Sequence, residues 1–217
     1  TKMPATIQFL SISLLMARKL LFFIPPLVSF GRLLYELIYI KLLTSYYQNQ
    51  FRKTMANYLN IEKNKIIFAD HHTCHAFAAY YGFVPKEKRN QDYLVITLDG
   101  AGDGDCGGVW VVRNGRWRRI AKTLAGNSIA LFYGMITRYL GMKLNEHEYK
   151  VMGLTPYVSS YEISKVYPLL KDLFWVDDKL AMHSKVLSSA YLDYFDKFLK
   201  HQRFDGIAGA AQKIDAA

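Results

Sequence analysis

Three of the six histidines stand within five residues, at His71, His72 and His75. Helical positions i and i+4 share one face about 6 Å apart, close enough for two imidazoles to hold one divalent ion. His71 and His75 are therefore a candidate metal pair, and His72 points elsewhere. The alternative is a capped helix with solvent-facing histidines. Two ligands do not make a site, so a third, most readily a carboxylate, has to come from another part of the protein. Cys74, between them, reads as a small buried residue rather than a soft ligand.

A second group of residues, Thr97-Leu98-Asp99-Gly100-Ala101-Gly102-Asp103-Gly104-Asp105-Cys106-Gly107-Gly108, leaves an apolar run and turns glycine-rich. Glycines let backbone N–H groups close around phosphate oxygens, and a carboxylate at a strand end can hold a metal or order a water beside them. A tight acidic loop without a ligand has the same spacing. An EF-hand is excluded, because the closing Glu is missing and the flanks read as strands. In a third group, Asn145 to Leu154, Glu146, His147, Glu148 and Lys150 gather beside apolar residues. That set suits a ribose or a phosphate, and a solvated helix start would look alike.

These residues need elements to position them. Asp70 can cap a helix over His71 to Tyr81 through its carboxylate. A short strand is expected over Lys65 to Ala69. Further strands are expected over Tyr93 to Leu98, Gly107 to Val112 and Trp117 to Leu124, with Asn114-Gly115 as a tight hairpin turn between the last two. Ser128 caps a helix through Tyr139, and Gly141 stops it. Upstream, Phe30, Leu33, Leu34, Leu37, Ile38, Leu42, Leu43, Tyr46 and Tyr47 keep helical spacing between Ser29 and Asn60. From Ser160 the pattern is helical, ending in an Ala-rich helix from Phe204.

The chain has 217 residues, 51% of them hydrophobic and 15% aromatic, which suffices for one substantial core or two small ones and excludes general disorder. Its two cysteines exclude a disulfide scaffold and make a reducing, cytoplasmic setting the expectation. The formal charge of +10 is concentrated towards the amino terminus, where residues 1–69 carry nine Lys or Arg against Glu36 and Glu62. The basic residues are scattered singly among apolar runs, so no nucleic-acid partner is expected. Ile7 to Leu43 is the most apolar stretch. Arg18, Lys19, Pro25, Pro26, Arg32, Glu36 and Lys41 break it into pieces of about ten residues, too short to span a bilayer.

Three ordered motifs then point to a family. The run Asp70-His71-His72-Thr73-Cys74-His75-Ala76 resembles a His-His-x-x-His-Ala helix. Val95-Ile96-Thr97-Leu98-Asp99-Gly100-Ala101-Gly102-Asp103 resembles a Thr-Leu/Val-Asp-Gly-x-Gly strand and turn, and Glu146 to Leu154 resembles a Glu-x-Glu-Tyr-Lys-Val-Met-Gly-Leu signature. Together the three resemble motifs of the carbamoyltransferases that include nodulation and antibiotic O-carbamoyltransferases, whose catalytic domain belongs to the actin-like ATPase superfamily. Phe22 to Leu34 and Asp205 to Gln212 extend the similarity, so residues 20–217 are read as a partial catalytic domain and residues 1–19 stay unassigned. Thr155 stands where the family usually has Ala.

The resemblance implies an α/β fold, a partial actin-like ATPase (ribonuclease H-like) domain with a mixed sheet flanked by helices. It implies transfer of a carbamoyl group from carbamoyl phosphate, through an ATP-derived carbamoyladenylate, to a small-molecule hydroxyl acceptor. It further implies that His71 and His75 bind a divalent metal, iron-type with magnesium as the alternative, and that Asp99, Gly100, Gly102 and Asp103 cradle phosphate. Glu148 and Lys150 would line the nucleotide pocket, and His72 is the candidate base for the acceptor hydroxyl. The family's third metal ligand, its adenosine-binding glycines and its adenylate-forming domain are expected beyond Gln212, so the segment alone is expected to be inactive. The rival readings are another actin-like transferase or kinase, and a non-catalytic, membrane-associated remnant.

Overall fold

The computed structural model describes residues 41–216, and the chain divides between Asp70 and His71 into two units, taken separately below. Most of the apolar stretch Ile7 to Leu43, the Phe22 to Leu34 similarity and the boundary at residues 19 and 20 lie outside the described residues. In the first unit, α1 (Lys41–Leu59) falls within the expected helical region. It is held to the chain that follows: the Phe51 and Phe68 rings meet edge to face at 5.9 Å, and Arg52 donates from Nε to the Ile66 carbonyl at 3.3 Å. The strand expected over 65–69 does not form. A 3₁₀ turn occupies Lys63–Lys65, and residues 66–70 run without regular structure. A strand requires a partner for its N–H and C=O groups, and none of the described strands pairs with this segment.

The second unit is α/β. It runs α2 (His71–Phe83), β1 (Tyr93–Gly102), β2 (Asp105–Arg113), β3 (Arg116–Leu124), α3 (Ile129–Tyr139), α4 (Glu148–Leu154), α5 (Ser160–Leu170), β4 (Phe174–Val176), β5 (Met182–Ser184), α6 (Tyr191–Leu199) and α7 (Phe204–Asp215). β1, β2 and β3 form a three-stranded sheet in that order, and β4 and β5 form a separate hairpin. Every described pairing is antiparallel, so the mixed sheet expected from the sequence is not found among the described residues. The cause is local. Asp103-Gly104 and Asn114-Gly115 each carry two consecutive positive φ angles, 53° and 90°, then 48° and 71°. Such pairs close two-residue hairpins whose twist matches the flanking strands, which forces neighbouring strands to run antiparallel.

α2 lies on the sheet in a register set by simple dimensions. Four helical residues rise about 6 Å and two strand residues advance about 6.6 Å, so every fourth residue of α2 can meet every second residue of β1. His72 meets Thr97 by a hydrogen bond, Ala76 packs in one apolar cluster with Val95, and the Tyr80 ring meets that of Tyr93 at 5.4 Å. Trp110 and Val112 of β2 complete this cluster. The alternation that buries Val95 and Thr97 leaves Leu94, Ile96 and Leu98 of β1 more than half exposed.

In a second core of the same unit, α3, α5, α6 and α7 bury Phe132, Ile136, Val166, Leu170, Phe195, Leu199 and Ile207 almost completely. Ser128 caps α3 by accepting the Leu131 N–H at 3.1 Å, and Gly141, at φ 77°, ends it. No helix among the described residues is long and apolar enough to cross a membrane.

Candidate metal centre

His71 and His75 stand one turn apart on the partly open side of α2, and β1 brings Asp99 against both. Asp99 Oδ2 lies 2.8 Å from His71 Nε2 and 3.4 Å from His75 Nε2, while the two imidazole nitrogens are 3.1 Å apart. Each of the three side chains can offer one ligand atom, and these atoms all lie within 4.8 Å of one another. That donor set, two imidazoles and a carboxylate, matches the demands of a transition metal or zinc, and it is the one cluster of its kind among the described residues. The side chains are 37%, 52% and 41% exposed, so an ion and its remaining ligands can reach the cluster from solvent.

Asp99 is held at two further points. Its Oδ1 accepts the Gly100 N–H, and its own carbonyl accepts a hydrogen bond from the Ser128 hydroxyl at 3.2 Å. The hydrogen bond from His71 lowers its pKa below the usual carboxylate value, and the Gly100 N–H adds to that, so Asp99 is an anion at neutral pH. The sequence reading places Asp99 in a phosphate turn and looks for a third metal ligand beyond Gln212. In the structure this carboxylate faces the imidazole pair, so a third candidate donor is present within the described residues.

The other two carboxylates of the glycine-rich segment have different partners. Asp103 Oδ2 accepts the backbone N–H of His71 at 2.9 Å, which ties the β1–β2 turn to the first residue of α2. Asp105 is buried and receives Arg119 Nη2 at 2.9 Å and Lys122 Nζ at 2.7 Å, both from β3. The glycine-rich segment, expected as a turn between two strands, is a paired hairpin end. Residues Leu98 to Gly102 continue β1 with one irregularity in register, and Gly102 pairs with Asp105. At Gly102 a Cβ would stand 2.1 to 2.7 Å from three atoms of the His71 ring, so glycine here lets the imidazole lie against the backbone.

His72 is fully buried. Its Nδ1 lies 3.0 Å from Thr97 Oγ1, and its Nε2 is sealed from solvent without a partner among the described residues. This is the environment of a tie between helix and strand. A base that meets an acceptor hydroxyl needs access, and a side chain at 0% exposure has none in this conformation. Sequence reasoning missed Thr97 and Ser128 as supports of the site. The period-two alternation of β1 contains the signal, since Val95, Thr97 and Asp99 must share the face that α2 covers.

Glu148 and Lys150 belong to another part of the unit. They sit on α4, which packs mainly on α7 and α3. Glu148 Oε1 accepts the Asn145 N–H at 2.7 Å, closing the turn into α4, and Lys150 is exposed with its ammonium 5.8 Å from the Tyr149 ring centroid. Nearby, Tyr133 donates to Gln212 Oε1 at 2.9 Å. Burial first, then the charges of Asp215 and Glu148, push the Tyr133 phenol up to about 12. Among the described residues no hydrogen bond or ion pair joins Glu148 or Lys150 to the His71, His75 and Asp99 cluster.

Comparison with known proteins places this chain in a family. The model of the family described as carbamoyltransferase N-terminus matches residues 29–203. The chain belongs to that family. It is 33% identical over 99 residues to the nodulation protein NolNO of Sinorhizobium fredii, covering 45% of this chain and 13% of the relative. An uncharacterized protein of Methanocaldococcus jannaschii is 31% identical over 151 residues, covering 60% of this chain and 24% of that protein. An uncharacterized protein of Synechocystis sp. is 26% identical over 149 residues, or 68% and 22%. The chain therefore matches a quarter or less of the length of these relatives.

Proposed function

We propose that this chain is the metal-bearing part of an ATP-dependent O-carbamoyltransferase, with carbamoyl phosphate as donor and a small-molecule hydroxyl as acceptor. Membership of the carbamoyltransferase family supports the reaction class, and the convergence of His71, His75 and Asp99 is the observation that carries the assignment. The two imidazoles and the carboxylate would hold the ion, iron in our reading. When bound, such an ion supplies Lewis-acid stabilisation of negative charge on carbamoyl or phosphate oxygens.

The chain's own residues do the positioning. Asp99 carries the negative charge of the cluster, and in the metal-free protein its hydrogen bond with His71 keeps the two donors together. Ser128 and the Gly100 amide hold Asp99 in place. His72 and Thr97 lock the helix to the strand beneath the cluster, so the donor atoms need little rearrangement to receive a ligand. Glu148 and Lys150 would contribute to the nucleotide pocket from α4.

The test uses the reading frame that carries this chain. Purified protein should form AMP from ATP only with carbamoyl phosphate present, and Asp99→Asn or His75→Ala should remove that activity together with the bound ion. Protein that folds, keeps all three motifs and binds neither metal nor nucleotide would refute the assignment.

A further inference from the structure

We infer that Asp103 is a positioning residue for the metal centre rather than a phosphate ligand, acting with Gly102 as a two-point grip on His71. The first point is the backbone. Asp103 Oδ2 takes the His71 N–H at 2.9 Å, across a separation of 32 residues, and so fixes where α2 begins relative to the β1–β2 turn. The second point is the ring. The α-carbon of Gly102 faces Cγ, Cδ2 and Nδ1 of His71 so closely that a methyl group there would stand 2.1 to 2.7 Å from them. A side chain held at its amide and pressed at its inner ring edge has little freedom in its rotamer. The ring edge remaining is Nε2, which lies 2.8 Å from Asp99 and 3.1 Å from His75.

The turn itself explains why this pair of residues does the work. Asp103 adopts φ 53° and Gly104 φ 90°. Among side chains, Asp and Asn accept that left-handed region most readily and Gly accepts it freely. Asp105, next along, is drawn the other way by Arg119 and Lys122. One carboxylate thus ties the turn to α2 and the next ties it to β3, leaving Asp99 as the acid of this segment that faces the imidazoles. The bearing of this grip on chemistry rests on the metal reading above, whereas the grip itself can be measured without any ion.

The experiment is amide hydrogen exchange and histidine NMR on the 217-residue chain carrying Asp103→Ala, Asp103→Asn or Gly102→Ala. In Asp103→Ala the His71 amide should exchange at least about tenfold faster and the His71 ring signals should move, while the amides of Ala76 and Tyr80 keep their protection. Asp103→Asn keeps an acceptor oxygen and should restore most of the His71 protection. Gly102→Ala should move the ring signals and leave the amide protected. A His71 amide unaffected in folded Asp103→Ala would overturn the inference. So would one that stays fast in Asp103→Asn.

A Co²⁺ titration followed by absorbance separates the two readings. Asp103→Ala should weaken Co²⁺ binding about tenfold, the usual consequence of removing an outer support, and Asp99→Ala should abolish binding with the His71 amide still protected. Failure of the unsubstituted chain to bind Co²⁺ would refute the metal reading alone, because the exchange results decide the role of Asp103 independently.

Discussion

Two aspartates in this molecule hold an imidazole at the same distance. Asp99 stands 2.8 Å from His71, and Asp177 stands 2.8 Å from His183. Both carboxyl groups are held below the usual carboxylate range, in each case first by the histidine hydrogen bond and then by a backbone N–H. The surroundings differ. Asp177 closes the β4–β5 hairpin, accepting the N–H groups of Lys179 and Ala181, and His183 is stacked on Trp175 at 5.4 Å. Asp99 meets a second imidazole, His75, and its residue is gripped by Ser128 and by the turn that packs on His71. A His–Asp pair alone is hairpin chemistry. The third donor, and the supports that aim it, set the first pair apart.

The largest effect that would break this comparison comes from deleting the two acids separately. Asp99→Ala should lower divalent-metal affinity by about a hundredfold or more, since removal of a direct ligand exceeds the 10- to 100-fold loss typical of an outer support. Asp177→Ala should leave affinity unchanged, and calorimetric titration of both variants checks the contrast. Equal losses would mean that the two pairs are equivalent.

Next in size is Gly102→Ala, which drives a methyl group into the His71 ring. It should weaken metal binding by about tenfold, within the range for disturbed ligand orientation, while the β4–β5 hairpin, seen through Trp175 fluorescence, stays as it was.

Thr97→Val follows, and it acts on stability. It removes the Oγ1 that His72 Nδ1 meets and leaves a fully buried imidazole with no partner at either nitrogen. The cost should be about 1–3 kcal/mol, the penalty of an unsatisfied buried polar group, measured as a fall in the denaturant midpoint with unchanged slope.

The smallest effect is in the pH response of the metal-free protein. A carboxyl group whose folded pKa lies below its unfolded value stabilises the fold fully above the unfolded value. That contribution disappears as pH falls through the folded one. For Asp99 and Asp177 the window therefore lies below the ordinary value of 3.8. His71→Ala should raise the Asp99 midpoint towards that value and leave Asp177 where it was, as ¹³C carboxylate shifts would record.

Much of the second unit was legible in its residues, and the reasons are local. Asn114-Gly115 marks a hairpin because few other pairs accept two positive φ angles, and Ser128 marks the start of α3 because a hydroxyl can take a free first-turn N–H. The His71 and His75 pairing follows from helical spacing alone. What the sequence hides is the orientation of groups that have two plausible partners. Asp99, Asp103 and Asp105 are alike as letters, and only the packed hairpin sends one to an imidazole pair, one to an amide and one to Arg119 and Lys122. Asp103-Gly104 is also a hairpin turn, yet the glycines around it read equally well as a phosphate loop. The segment 65–69 has strand-like residues, and tertiary context gives it no neighbour to pair with. His72 carries the same functional groups as His71, and one step of 100° around the helix seals it in the interior.

α2 carries its donors one position away from His72 and Ala76, which are sealed against the sheet, so architecture and reactivity occupy adjacent positions of one helix. A bulkier side chain at Ala76 lifts the whole rod and carries both imidazoles away from Asp99 with it. Changes that loosen or tighten this contact should therefore be felt as altered ligand geometry as well as altered stability.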